Sequence, residues 1–200
     1  MTERFDKAAQ EWDSGDMRQN IADAVFKTIV SRIALLNTMH IMDFGAGTGL
    51  LSFKLATMVR SVTGVDLSGG MLEQLEAKNS AAVHVSAVLQ DIMEHPLEQK
   101  FNGIVSSMAM HHVQNTARLF ETFYAHLKRD GFIAIADLEE EDGTFHAQHG
   151  NDGVHHFGFN RDVLRATIEK AGFKNVRFHD AYRVDREDGS YPIFLVTAMK

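Results

Sequence analysis

The chain has 200 residues, a formal net charge of −7 at pH 7 and no cysteine. This length predicts one domain with a sizeable core, and the lack of cysteine excludes disulfides, thiolate metal sites and a cysteine nucleophile. The acidic balance disfavours nucleic acid as a partner. We expect a soluble, cytoplasmic protein, because no apolar run is long enough to span a membrane and residues 1–10 lack the apolar core of a signal peptide.

Two helices are predicted before the first strand, over residues 2–10 and 17–36. The second helix has an apolar face that is typical of core packing. Its apolar residues at helical spacing are Ile21, Val25, Ile29 and Ile33.

The segment MHIMDFGAGTGLL at residues 39–51 joins an apolar run to three alternating glycines and then to a helix start. Strand, glycine turn and helix in this order predict a nucleotide cradle, because glycine lets the backbone approach a ligand and the free N–H groups of the helix start point outward. A dinucleotide fingerprint would need glycine at position 50, where this chain has Leu50, so a nicotinamide oxidoreductase is disfavoured.

A second motif, SVTGVDLSGGM, predicts a short strand that ends at Asp66, about 20 residues after the glycines. A carboxylate at this edge can accept hydrogen bonds from both hydroxyls of a ribose. The alternative is that Asp66 caps the helix that follows, although Ser68 can supply that cap alone.

The pattern D-x-G-x-G-x-G that ends at Gly49 resembles motif I of class I S-adenosylmethionine-dependent methyltransferases, and VDLSGGML is similar to their motif II. The resemblance implies a doubly wound, Rossmann-like α/β fold. Its seven-stranded sheet is mostly parallel, with an antiparallel C-terminal hairpin and helices on both faces, in a single domain over residues 1–200. S-adenosylmethionine is the implied cofactor and S-adenosylhomocysteine the product. The residues implied to bind it are Asp43, Gly45, Ala46, Gly47, Gly49, Asp66, Leu67, Met71, Gln90, Asp91, Ile92 and Ser107.

Asp91 follows a third predicted strand over residues 83–88. The resemblance implies that its carboxylate accepts a hydrogen bond from the adenine amine. The alternative is a cap of the turn before Pro96.

The fourth predicted strand begins at Phe101, and residues 106–112 follow it at the carboxyl edge, where parallel sheets bind ligands. The family's (D/N)-P-P-(Y/F) tetrapeptide is missing here, which disfavours methylation of adenine or glutamine amides. His111 and His112 are similar to histidines found after this strand in small-molecule methyltransferases. Either one is a candidate catalytic base, or both anchor the turn.

The N-terminal sequence FDKAAQEWD resembles the family's lid element, so we expect residues 1–37 to form a helical lid. Trp12 either lines the substrate pocket or anchors the helix in the core. We expect Arg18 at the surface, with the carboxylate of the cofactor as the alternative partner.

Residues 138–159 form a long insertion rich in glycine, aspartate and histidine, which predicts a second lid. Its histidines match no closed metal-site spacing, so we expect no metal. They are His146, His149, His155 and His156, with Asp142 and Asp152 as the acids that would have to join them. The resemblance places His155 and His156 beside the acceptor pocket.

The remaining elements are predicted as helices and strands at residues 113–128, 132–136, 161–171, 176–184 and 193–199. Asp137 ends one strand and either lines the pocket or caps the loop. Pro192 is expected at a strand start, where its missing N–H is harmless.

These features predict methyl transfer from S-adenosylmethionine to a small-molecule acceptor by in-line displacement, in which the enzyme aligns the acceptor and excludes water. The alternative is a non-catalytic module that senses or sequesters S-adenosylmethionine. The sequence names neither the acceptor nor the oligomeric state.

Overall fold

A computed structural model describes residues 2–147 and 150–200. In this part of the chain seven strands form one sheet, in the order β3-β2-β1-β4-β5-β7-β6. The strands are β1 His40–Phe44, β2 Ser61–Asp66, β3 Val85–Leu89, β4 Phe101–Ser107, β5 Leu127–Leu138, β6 Lys174–Arg186 and β7 Gly189–Met199. Strands β1 to β5 pair in parallel, and β7 pairs antiparallel with both β5 and β6. The predicted fold class is therefore confirmed.

The helices lie between these strands and before them. They are α1 Thr2–Ala8, α2 Asp16–Arg32, α3 Leu50–Ala56, α4 Gly69–Ala77, α5 Thr116–His126 and α6 Arg161–Lys170, with 3-10 helices at Ala9–Ser14 and Met110–His112. The prediction for α2 was too long, because Ile33 already has an extended backbone with φ −126° and ψ 125°. None of the described helices combines the length and apolar content that a membrane crossing requires.

Alternate residues of the central strands fill two separate cores, one on each face of the sheet, because successive side chains of a strand point to opposite sides. Ile41 packs on the face covered by α2, α3 and α4, whereas Met42 packs on the face covered by α5 and α6. In β5, Ala134 belongs to the same core as Ile41, and Ile135 belongs to the same core as Met42.

Two local predictions at the C-terminal strands were wrong. The helix predicted to reach residue 128 ends at His126, because Leu127 is extended and already pairs with Phe101 of β4. Pro192 lies inside β7 and not at its start. The Pro192 carbonyl points toward β5 and accepts a hydrogen bond from Glu139 N. This contact lies beyond the last pair between β5 and β7, which is Leu138 with Ile193, so the position tolerates proline. The missing N–H on that side therefore breaks no ladder bond.

Candidate active site

The turn after β1 is held in a backbone shape that glycine adopts easily. Gly45, Gly47 and Gly49 have φ of +67°, +53° and +84°, a left-handed region that other residues rarely enter. At Gly45 an added Cβ would lie 2.3 Å from the Cβ of Ala109. The backbone N–H of Gly45 donates to Val65 O at 2.9 Å, so the turn is fixed against the end of β2.

Asp66 ties this turn to the start of α4. Its Oδ2 accepts from Gly47 N at 2.8 Å and its Oδ1 from Ser68 N at 2.9 Å. Burial raises the pKa of the Asp66 carboxyl above its ordinary value, although these backbone donors act in the opposite direction. The cap of α4 is Ser68, whose Oγ accepts from Met71 N at 3.2 Å. Asp66 is therefore not needed as the helix cap and faces the ligand crevice.

Asp43 lies beneath the turn and is 2% exposed. Its Oδ2 accepts from Ser52 Oγ at 2.5 Å. Burial raises the pKa of Asp43 to about 7, against the hydrogen bond from Ser52, and the charge of Asp66 adds to the rise. The contact with Ser52 was not predicted, since a serine inside a helix is common.

A cavity of about 730 Å³ opens at the carboxyl ends of β1, β2 and β4, a volume typical of small-molecule sites. Ten of the twelve predicted cofactor residues line it, namely Asp43, Gly45, Ala46, Gly47, Asp66, Leu67, Met71, Gln90, Asp91 and Ser107. Gly49 and Ile92 do not. An added Cβ at Gly49 would meet Phe53 and Leu75 at 3.0 and 3.1 Å, so Gly49 serves packing. Ile92 is 1% exposed and belongs to the core.

Asp91 lines the cavity and also caps the turn after β3. Its Oδ1 accepts from Met93 N at 2.9 Å and from Glu94 N at 3.4 Å. The two interpretations of Asp91 are thus compatible, because a carboxylate accepts several hydrogen bonds.

Two buried side chains form a pair at the opposite end of the cavity. His111 Nδ1 lies 2.7 Å from Asp137 Oδ1, and the two side chains are 1% and 0% exposed. Burial acts to raise the pKa of Asp137, but His111 and backbone donors hold that pKa below its ordinary value. Asp137 is therefore an ionised acceptor that keeps the proton on His111 Nδ1. His111 Nε2 then carries a lone pair, and it has no hydrogen-bond partner in the described part of the chain.

Two further imidazoles surround His111. The rings of His112 and His146 lie 4.1 and 4.8 Å from the His111 ring. Burial and the charge of His111 lower the pKa of His112 to about 4. Burial and the charges of His111 and His112 lower the pKa of His146 to about 3. Both rings are therefore neutral at pH 7. We call the group His111, His112 and His146 the histidine end of the cavity, and the turn at residues 45–49 with Asp66 the glycine end.

The placement of His155 and His156 in the pocket was wrong. Their backbone N–H groups donate to His111 O at 3.0 and 3.2 Å, and His156 Nε2 lies 3.0 Å from Val113 O. They hold the turn that carries His111 and do not line the cavity. Phe145 and His146 of the same insertion line it instead. His149 lies outside the described residues.

The N-terminal segment covers the cavity. Trp12 and Arg18 both line it, and the Arg18 guanidinium stacks over the Trp12 ring at 4.0 Å. The expected surface position of Arg18 was therefore wrong, because stacking on the indole ring of Trp12 keeps its guanidinium group at the cavity. Asp6 Oδ1 accepts from Ser68 Oγ at 2.6 Å, and Asp13 Oδ1 accepts from Thr48 Oγ1 at 2.5 Å. These bonds fasten the segment to the glycine end.

Several lining residues were missed because their positions depend on distant contacts. They are Arg4, Phe145, His146 and Arg186. Asp137 was recognised only as one of two alternatives, although its place at the carboxyl end of β5 is a usable signal.

Comparison with known proteins places this geometry in a family. A family model described as a methyltransferase domain matches residues 41–131. The chain is 32% identical over 184 residues to malonyl-[acyl-carrier protein] O-methyltransferase of Geobacter sulfurreducens, covering 81% of this chain and 68% of that protein. It is 28% identical to an uncharacterized methyltransferase of Schizosaccharomyces pombe, covering 68% of this chain and 54% of that one. The chain thus spans about half to two thirds of the length of these curated relatives.

Solved structures share the fold at lower identity. One is phosphoethanolamine N-methyltransferase 2 of Haemonchus contortus in complex with S-adenosylmethionine, with a TM-score of 0.72, 16% identity and coverage of 98% of this chain and 60% of that one. Another is an S-adenosylmethionine-dependent methyltransferase of Mesorhizobium loti, with a TM-score of 0.72, 18% identity and coverage of 88% and 98%. With the sheet order, the glycine turn and Asp66 in place, the chain belongs to the class I S-adenosylmethionine-dependent methyltransferases.

Proposed function

We propose that this enzyme methylates a small, negatively charged acceptor, which binds at the histidine end while S-adenosylmethionine binds at the glycine end. The observation that carries the proposal is that one cavity joins the two ends. The bound sulfonium supplies an electrophilic methyl group, so the protein needs to hold the acceptor in line, exclude water and take up a proton where the acceptor carries one.

The glycine end fits an adenosyl ligand. Asp66 presents a carboxylate beside the backbone of Gly47, and an added Cβ at Gly47 would meet nothing nearer than Met71 Sδ at 4.0 Å. The backbone there is thus open to close approach by a ligand. We assign ribose binding to Asp66 and the edge of the adenine to Asp91.

The histidine end fits an anion because its wall carries fixed positive charge. Arg4, Arg18 and Arg186 line the cavity, and none of them forms an ion pair with a carboxylate of the described residues. Arg4 Nη1 donates to Gly150 O at 3.1 Å, and the Arg186 guanidinium stacks over Phe145 at 4.4 Å. Positioned guanidinium groups without a carboxylate partner favour a carboxylate or phosphate on the ligand.

His111 is the proton acceptor in this proposal. Asp137 fixes its ring and tautomer, which leaves Nε2 as a base inside the cavity. The same Nε2 is too buried to be satisfied by bulk solvent, since His111 is 1% exposed. Residues 1–37 and 138–159 act as lids, joined where Arg4 meets Gly150.

The first test is calorimetric binding of S-adenosylmethionine, S-adenosylhomocysteine and NAD, followed by a turnover assay. Formation of S-adenosylhomocysteine would be measured with a panel of carboxylates and phosphates, each paired with its neutral ester or amide. We expect both adenosyl ligands to bind, NAD not to bind, and turnover to favour the anionic member of a pair. Equal turnover of neutral partners would contradict the anionic acceptor.

The second test is Asp137→Asn. Its neutral amide holds the Nδ1 proton of His111 less strongly than a carboxylate and can present its NH₂ group instead, so we expect turnover to fall about 100-fold or more while the affinity for S-adenosylhomocysteine changes little. The matched control is Asp142→Asn, an exposed acid of the same insertion that bonds Thr144. Equal losses of turnover and affinity in Asp137→Asn would show that Asp137 supports the fold and not the chemistry.

A further inference from the structure

We propose that His111, His112 and His146 form a binding site for one divalent transition-metal ion of the zinc type. One ring nitrogen of each residue lies within 4.8 Å of the corresponding nitrogens of the other two. Neutral imidazole nitrogens are preferred ligands of zinc and of neighbouring transition metals. The expectation that the insertion holds no metal was based on four histidines, of which only His146 belongs to this cluster.

The hydrogen bonds of the cluster leave one nitrogen of each ring free among the described residues. His111 Nδ1 is engaged by Asp137 Oδ1 at 2.7 Å and His112 Nδ1 by Gly153 O at 2.8 Å, so Nε2 of each ring remains. His111 Nε2 and His146 Nδ1 are buried and have no hydrogen-bond partner among residues 2–147 and 150–200. Unpaired buried nitrogens are unfavourable, and two of them beside a third imidazole indicate a shared ligand.

The contacts behind the rings are those that metal-binding histidines use. A carboxylate on the far nitrogen of a histidine fixes its tautomer and raises its basicity as a ligand, and a backbone carbonyl does the same more weakly. Asp137 takes the first role for His111 and Gly153 O the second for His112. The Asp137 carboxylate also supplies one negative charge next to the ion.

The spacing requires a small closing movement. Three nitrogens bound to one tetrahedral zinc ion lie about 3.3 Å apart, compared with the 4.8 Å limit observed here. His146 lies outside the strands and helices, whereas His111 and His112 belong to the short helix after β4. A shift of the His146 ring toward the other two would therefore complete the site.

Three protein ligands leave a coordination position open toward the cavity. Arg4 lines the same cavity. A cation beside a guanidinium is unfavourable unless an anion lies between them, so an anionic oxygen of the acceptor is the expected fourth ligand. This last step rests on the proposed function. The three-histidine site does not.

His111 Nε2 has one lone pair and therefore takes one role at a time. It accepts the proton of the acceptor when no ion is bound, and it would be a ligand when an ion is bound.

The test uses the full chain, without an affinity tag and treated with a chelator, titrated with Co²⁺ and then with Zn²⁺. We expect one equivalent of Co²⁺ with visible absorption of four- or five-coordinate type, which Zn²⁺ displaces. His112→Ala and His146→Ala should each weaken Zn²⁺ binding at least about tenfold, the scale of one lost ligand or orienting partner. The matched control is His155→Ala, whose exposed side chain belongs to the same insertion.

Affinity for S-adenosylhomocysteine is measured on every variant as a check of folding. If His111→Ala fails this check, His146→Ala and His146→Gln carry the test, because His146 is not part of the sheet or its helices. Absence of stoichiometric binding, or binding that survives both His112→Ala and His146→Ala, would overturn the metal site. A protein that binds S-adenosylhomocysteine but no metal would leave the proposed function standing, whereas metal binding without adenosyl binding would refute that function alone.

Discussion

At the glycine end of the cavity the ligand-facing groups are mainly backbone atoms and one carboxylate, supplied by the ends of β1 and β2. At the histidine end they are side chains, supplied by α1, α2, β6, the turn after β4 and the insertion after β5. The first region resists change because its shape is fixed by glycine φ angles and by sheet pairing. The second depends on rings and guanidinium groups held by distant contacts, so it can be altered one side chain at a time.

This difference shows where the enzyme is constrained. A backbone cradle recognises a ligand common to the whole family, and changing its shape means changing the sheet. Side chains on lids can be replaced without disturbing the sheet, which is how related folds come to serve different acceptors. Each of the following predictions tests one side of this contrast.

The largest effect is expected at the glycine end. Gly45→Ala places a Cβ 2.3 Å from that of Ala109 at a φ of +67°, and overlap plus strain should cost about 3 kcal/mol or more of unfolding free energy. The control is Gly150→Ala in the insertion, also at positive φ, where the new Cβ meets no described atom within 4 Å. There we expect about 1 kcal/mol from backbone strain alone. Chemical denaturation measures both, and equal losses would contradict the contrast.

Asp43 gives the glycine end a pH-dependent stability. Its pKa is about 7 in the fold and near 3.8 otherwise, so between these values the folded state binds a proton that the unfolded state lacks. This contribution is fully present below pH 3.8 and is lost as the pH rises through 7, at roughly 1.4 kcal/mol per pH unit.

Asp43→Asn removes the titration but keeps an oxygen that accepts from Ser52. The wild-type protein should therefore lose stability relative to this variant as the pH is raised from 4 to 7, measured by denaturation of the ligand-free protein at each pH. Parallel stability curves would show that Asp43 is ionised throughout.

Asp66→Ala should weaken binding of S-adenosylmethionine by about 2 kcal/mol, roughly 30-fold, which is the scale of lost charge-assisted hydrogen bonds. The same change frees Gly47 N, which Asp66 holds at 2.8 Å. Calorimetry with Asp188→Ala, an exposed acid of the C-terminal hairpin, as control separates this loss from a general charge effect. Unchanged affinity would remove Asp66 from the ribose site.

The smallest of these effects is expected for Arg4, in the wall of the histidine end. Arg4→Gln should raise the KM for an anionic acceptor about tenfold, near 1.4 kcal/mol, and leave the affinity for S-adenosylmethionine unchanged. Arg129→Gln is the control, since Arg129 is 95% exposed and pairs only with its neighbour Asp130. If the affinity for the cofactor falls along with the affinity for the acceptor, Arg4 contributes to both ends, and the functions of the glycine end and the histidine end are not separate.

Local sequence signals served the glycine end well. The spacing of the glycines from Gly45 to Gly49, and the number of residues between them and Asp66, can be read directly along the chain. Ten of the twelve residues predicted to bind the cofactor line the cavity. The two that do not, Gly49 and Ile92, lie next to lining residues along the chain but point into the protein. A motif gives the path of the backbone, whereas packing decides which side of it faces the ligand.

At the histidine end the residue types could be predicted from the sequence, but their contact partners could not. His155 and His156 looked like pocket residues because of their position before α6, but they hold the turn of His111 by hydrogen bonds. Arg18 was expected at the surface, but its guanidinium stacks over the Trp12 ring and lines the cavity.

The sequence by itself therefore determined the sheet, the glycine turn and the family, because alternating apolar residues, glycine conformational freedom and strand-end carboxylates act over a few neighbouring positions. Only the tertiary structure decided that Asp137 contacts His111, that His146 comes beside His111 and His112, and that Arg4 lines the same cavity. These contacts join segments separated by tens of residues, and their free energy comes from burial and from pairing of polar groups that exist only once the chain has folded.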